Sequence, residues 1–129
     1  MIRAAAAIAW GLCSAAHACG DAGDTIATGS RYVIAYRTAP STIAASQHFA
    51  IDFTVCAIGK APAPRTVRVD ASMPEHRHGM NYKTAVIARG PGRYRAEGLL
   101  FHMSGRWQIA FDVVARGTTE RITSPVELP

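Results

Sequence analysis

From Gln47 to Val55 apolar and polar side chains alternate without a break, with Phe49, Ile51, Phe53 and Val55 on one parity and His48, Ala50, Asp52 and Thr54 on the other. A helix would scatter these four hydrophobes around its circumference. An extended chain turns every second side chain to one face, so the run reads as a half-buried strand. The pattern recurs. Trp107, Ile109, Phe111 and Val113 alternate with Gln108, Ala110 and Asp112. Val67, Val69 and Ala71 alternate with Arg68 and Asp70, and Tyr32, Ile34 and Tyr36 share a face between Arg31 and Arg37.

Turn residues punctuate these runs: Pro40-Ser41, then Gly59, Pro62 and Pro64, then Gly90-Pro91-Gly92, Gly105 and Gly117-Thr118. Pro74 ends the run through Ala71 because it has no N–H to give to a ladder. Lys83 to Ala88 and Thr119 to Ser124 add two short candidates. After Tyr94 the parity of the apolar residues changes, since Arg95 and Glu97 are polar where Leu99, Phe101 and Met103 are not, and a bulge is expected near Gly98. No window beyond the N-terminus has a helical period. About seven short strands at turn spacings of roughly 8–12 residues predict an all-β fold, an immunoglobulin-like antiparallel β-sandwich.

The first residues are of another kind. Arg3 is followed by an Ala-rich apolar stretch through Leu12 and then by Ala16-His17-Ala18, the layout of a secretory signal cut after residue 18. The expected organisation is a signal peptide at 1–18, a flexible lead-in at 19–30 that is small and polar, and one β-sandwich domain at 31–129. The composition, 49% hydrophobic and 18% charged, suits one packed core and excludes a disordered chain. The formal charge of +5 is spread over single Arg residues with no basic run, which argues against nucleic acid as a partner. No stretch of the mature chain reaches the roughly 20 apolar residues of a membrane helix, so no transmembrane span is expected there.

Of the three cysteines, Cys13 falls within the signal and leaves Cys19 and Cys56. In an exported chain an even pair reads as a disulfide, with the protein in the periplasm. The alternative is a lipoprotein anchored at Cys19, although Ala16 stands where such signals usually carry a branched aliphatic residue.

The scarce soft donors are concentrated. Apart from Met1, every Met lies between positions 73 and 103, as do His76, His78 and His102. In an extended backbone His76, His78 and Met80 would point to one side, alternate Cα atoms being roughly 6.5 Å apart. Met73 would fold back over the same face, and the segment from Phe101 to Trp107 adds His102 and Met103 as donors. Calcium and magnesium want several oxygen ligands where the segment has only Asp70 and Glu75. Zinc would leave the thioethers unexplained. Soft sulfur selects Cu(I), and imidazole also holds Cu(II), so copper uses the whole set, with Cu(I) favoured. Each residue also has a plainer reading: Met103 shares the parity of Leu99 and Phe101 and would be core, and His48 would be a solvated strand residue.

Met73-Pro74-Glu75-His76-Arg77-His78-Gly79-Met80, Gly92-Arg93-Tyr94, Phe101-His102-Met103 and Gly105-Arg106-Trp107 together resemble the YtkA-like/FixH-like family of small exported bacterial domains. The resemblance runs from about Tyr32 to Val114. It implies an immunoglobulin-like sandwich in the periplasm and a link to copper handling or oxidase assembly. FixH-type members carry a membrane anchor that this chain lacks after cleavage, which weakens the assembly role.

Two functions from different classes follow. One is a periplasmic copper-binding protein that sequesters the ion or delivers it to a periplasmic or membrane acceptor. The other is a non-metal interaction module that assists assembly of a respiratory or membrane complex, with Arg77, Tyr82 and Trp107 as contact residues. No Ser-His-Asp arrangement, activated Cys or paired carboxylates stand out, so no enzyme activity is expected.

Overall fold

The computed structural model describes residues 18–129. The expected signal at 1–18, with Cys13, therefore falls almost wholly outside the described residues.

Among the described residues nine strands form two antiparallel sheets. They are β1 (Thr25–Thr28), β2 (Tyr32–Ala39), β3 (His48–Ala57), β4 (Thr66–Met73), β5 (His78–Gly79), β6 (Ala85–Gly90), β7 (Arg93–Leu100), β8 (Gly105–Ala115) and β9 (Thr118–Leu128). Sheet A has the order β1-β2-β3-β7-β6 and sheet B the order β5-β4-β8-β9. Seven of the nine are the expected strands. The alternating hydrophobes of β2, β3, β4 and β8 all turn inward, and Tyr32, Ile34, Ile51, Trp107, Ile109, Phe111 and Val113 are fully buried between the sheets. Phe111 of sheet B meets Tyr36 and Phe53 of sheet A at ring-centroid distances of 5.4 and 5.2 Å. Tyr36 also reaches across by its hydroxyl, 2.6 Å from the Ser124 hydroxyl, which partners the one buried polar residue among those described.

The expected bulge is present. Phe49 pairs with Leu99 but Ile51 pairs with Ala96, so Glu97 and Gly98 together oppose Ala50. Gly98 takes φ +87°, a left-handed angle that side chains avoid, and a Cβ there would stand 3.0 Å from the Lys83 carbonyl.

Two elements differ from expectation. The lead-in is not loose throughout, because Thr25–Thr28 pairs with Val33–Tyr36 as β1. Four residues of mixed small and polar character carry too little alternation to announce a strand. They are held by the neighbours: Gly20 lies against Ala35, the Arg37 guanidinium pairs with Asp24 at 2.6 Å, and Cys19 is bonded to Cys56. The second difference is β5, two residues produced by a turn that lies at the candidate site.

Candidate metal centre at the end of the sandwich

β4 runs into Met73, and Pro74 stops it as expected, but the chain does not continue extended. Pro74–His76 forms a 3₁₀ turn, closed by Arg77 in the left-handed region at φ 53°, with the Arg77 N–H reaching the Pro74 carbonyl at 3.4 Å. The ring of Pro74 presets the angle a turn needs at its start, and its missing N–H removes the donor a longer strand would require. The chain reverses, and His78–Gly79 pairs with Met73 and Ser72. The expectation that alternation sets His76 on the face of His78 and Met80 is therefore corrected, because the turn and the left-handed Arg77 interrupt the extended backbone between His76 and His78. The turn brings His76 and His78 together instead, ring centroids 5.7 Å apart and nearly parallel.

The third imidazole arrives from the other sheet. β7 ends at Leu100, and Phe101–Ser104 crosses from sheet A to sheet B before β8 begins. His102 lies in this crossing, not in an unbroken strand, with its ring 5.2 Å from that of His78 and edge-on to buried Trp107 at 5.3 Å. The Trp107 indole N–H donates to the Met103 carbonyl at 3.0 Å, and its ring stacks on Phe101 at 4.3 Å, so the crossing is fixed from below. His102 Nδ1 is buried and has no hydrogen-bond partner. An imidazole nitrogen stripped of water without a replacement costs about 1–3 kcal/mol.

The methionines separate. Met73 is 1% exposed and belongs to the core, though as the direct partner of His78 it faces the same side of sheet B. Its methyl packs where Gly105 has no side chain, 2.6 Å from the place a Cβ would take. Met103, expected in the core by its parity, is 36% exposed, because the crossing abandons strand geometry after Leu100. Met80 donates its N–H to the Ala71 carbonyl, packs partly buried against the core, and lines a cleft together with Tyr82 and Val86. Among the described residues no three His, Cys, Asp or Glu side chains stand in metal-binding geometry. The three imidazoles are adjacent but not convergent.

Two neighbours of the site have no signal in the sequence. Arg106 lies between Glu127, at 2.8 Å, and Glu75, at 3.9 Å, and so links the 3₁₀ turn to the β8–β9 edge. His48, exposed as expected, stands edge-on to Tyr82 at 5.0 Å. Both contacts join residues far apart in the chain. Trp107, expected as an exposed contact residue, is instead fully buried beneath His102 and cannot meet a partner.

With this arrangement in place, a family model described as YtkA-like matches residues 30–112, well over half the chain. The chain belongs to the YtkA-like family. No curated protein and no solved structure matches it. The YtkA-like match spans β2 to most of β8 and so includes all three imidazoles. It leaves β1, Cys19 and β9 outside, so the disulfide that pins the N-terminal segment joins a residue outside the matched span to one within it. Among the described residues of this YtkA-like protein, no helix is long and apolar enough to cross a membrane.

Proposed function

We propose that this protein is an exported copper-binding protein, and not an enzyme, that holds the ion at the end of the sandwich through His76, His78 and His102. The observation that carries the reading is the buried, unpartnered Nδ1 of His102, in the crossing between the sheets, beside the imidazole of His78 on β5. A ligated metal would satisfy that nitrogen. His76 and His78 are exposed and stand on a turn, so rotation of their side chains can bring them to the nitrogen that the core holds still. Met103, next to His102 and exposed, and Met73, beneath His78, supply the thioethers that favour Cu(I) over zinc.

Export to the periplasm fits the signal-like start and the Cys19–Cys56 bond, which is a feature of oxidising compartments. With the Cys19 sulfur committed to that bond, the proposal takes the form without a lipid anchor. Delivery would be to a periplasmic or membrane protein acceptor.

The test is competition for Cu(I) between the protein and a coloured chelator. Replacing His76, His78 and His102 together by Ala is expected to weaken Cu(I) binding by at least tenfold, ~1.4 kcal/mol or more, with the β-sheet circular dichroism retained. Undiminished binding in the folded triple variant overturns the proposal.

A further inference from the structure

A second feature lies apart from the imidazoles, on the open side of sheet B. β5 covers only the last two residues of β4, so the rest of that edge is unpaired along the sheet. The chain from Met80 to Val86 leaves sheet B for sheet A and runs past this edge, tied to it by the Thr84 hydroxyl, which donates to the Val69 carbonyl. Between the edge, the outer face of sheet B and this crossing lies a cleft of about 560 Å³. That is within the range of small-molecule sites, roughly 300–1,000 Å³.

Its lining is divided by chemistry. Met80, Val86 and the half-exposed ring of Tyr82 give one apolar wall. The other wall is a cross-strand row in which Arg68 of β4 stands opposite Asp112 of β8, which stands opposite Arg121 of β9. Arg121 takes both oxygens of Asp112, each at 2.9 Å, and holds that carboxyl below its usual pKa. Asp70 gives an oxygen to the Ala71 N–H at 2.8 Å. Among the described residues neither Arg68 nor Lys83 stands within ion-pair distance of a carboxylate, although the charge of Arg68 helps to hold the Asp112 carboxyl down. Arg68, Lys83 and Arg121 against Asp70 and Asp112 leave the cleft one net positive charge, and that charge facing an apolar wall is complementary to a small molecule with a single acid group.

We propose that the cleft binds a small amphipathic anion, one carboxylate or like acid group on a compact apolar body, with the acid at Arg68 and Lys83 and the body against Met80, Tyr82 and Val86. The acid contributes charge-assisted hydrogen bonds to Arg68 and Lys83, and the body removes apolar surface from water.

The probe is 4-phenylbutyrate, titrated calorimetrically into the metal-free protein and followed by amide chemical shifts. Saturable binding is expected, with shifts centred on Arg68, Lys83 and Thr84. The uncharged 4-phenylbutan-1-ol should bind at least tenfold more weakly, and so should phenylbutyrate to Arg68→Gln with Lys83→Gln. Both changed residues are exposed, and neither belongs to the imidazole cluster, so Cu(I) binding by the double variant should equal that of the parent. Absence of saturable binding overturns the proposal. So do shifts that map elsewhere, equal binding of acid and alcohol, or equal binding by the double variant.

Discussion

At the scale of single residues, Glu120 joins the two sheets. Its carboxylate on β9 accepts from the Ser30 hydroxyl at 2.6 Å and from the N–H groups of Arg31 and Tyr32 at 3.1 and 3.4 Å, at the turn between β1 and β2. Burial pushes this carboxyl upward, but the donors from Ser30, Arg31 and Tyr32 outweigh it and hold the pKa below the ordinary glutamate value. A depressed folded pKa means stabilisation that is present above the unfolded value, about 4.3, and is lost as pH falls through the folded one. Glu120→Gln should therefore cost about 1–3 kcal/mol at pH 7 and progressively less as pH falls below about 4. Denaturant unfolding of both proteins at pH 7 and pH 3 measures the difference, and an equal loss at both would refute the electrostatic account. Gly29 explains why the carboxylate fits, since a Cβ there would stand 2.0 Å from a Glu120 oxygen. None of this was legible in the sequence. A glycine and a glutamate some ninety residues apart carry no local sign that they meet.

At the scale of elements, the N-terminal segment and the turn after β4 were the least legible. β1 forms because of what surrounds it, and the Cys19–Cys56 bond, with Cα atoms 5.9 Å apart, is the covalent part of that support. Closing a loop between residues 37 apart in sequence should be worth about 3–4 kcal/mol in the chain-entropy account. Reduction by dithiothreitol is expected to lower unfolding free energy by about 2–4 kcal/mol and to speed amide exchange in Thr25–Thr28 more than in β8. Exchange that rises equally in both strands would mean that the bond stabilises the whole sandwich and not this segment. The turn at Pro74 was half legible. Proline announced that the strand would stop, but reversal depended on Arg77 accepting a left-handed angle, which nothing about an arginine foretells.

At the scale of the whole molecule, the sheets are one cooperative unit because their aromatic residues interlock. Phe111 packs on Tyr36 and Phe53 across the interior, and Phe53 stacks on Tyr94 at 5.3 Å, so one side chain of sheet B links three strands of sheet A. Phe111→Ala should cost about 3–5 kcal/mol. Denaturation followed by tryptophan fluorescence and by far-ultraviolet circular dichroism should still coincide, the mark of a two-state transition. Separate transitions for the two signals would show that the sheets unfold independently.

The sequence by itself determined the seven main strands, their inward faces, the bulge at Gly98 and the pairing of Cys19 with Cys56. Each of these is local or nearly so: a period of two, a glycine at a change of parity, a count of thiols. It also singled out, by residue type, three histidines that the fold sets side by side, although the expected strand alternation is not what does so. Only the tertiary structure decided that His102 and His78 lie side by side, that Met73 is core while Met103 is exposed, and that Arg68 and Lys83 face an apolar wall. Those outcomes depend on which strands pair and in what register, and on where the chain crosses from one sheet to the other. Such choices are made by burying the two faces against each other, an energy that belongs to the assembled sandwich and to no segment of it.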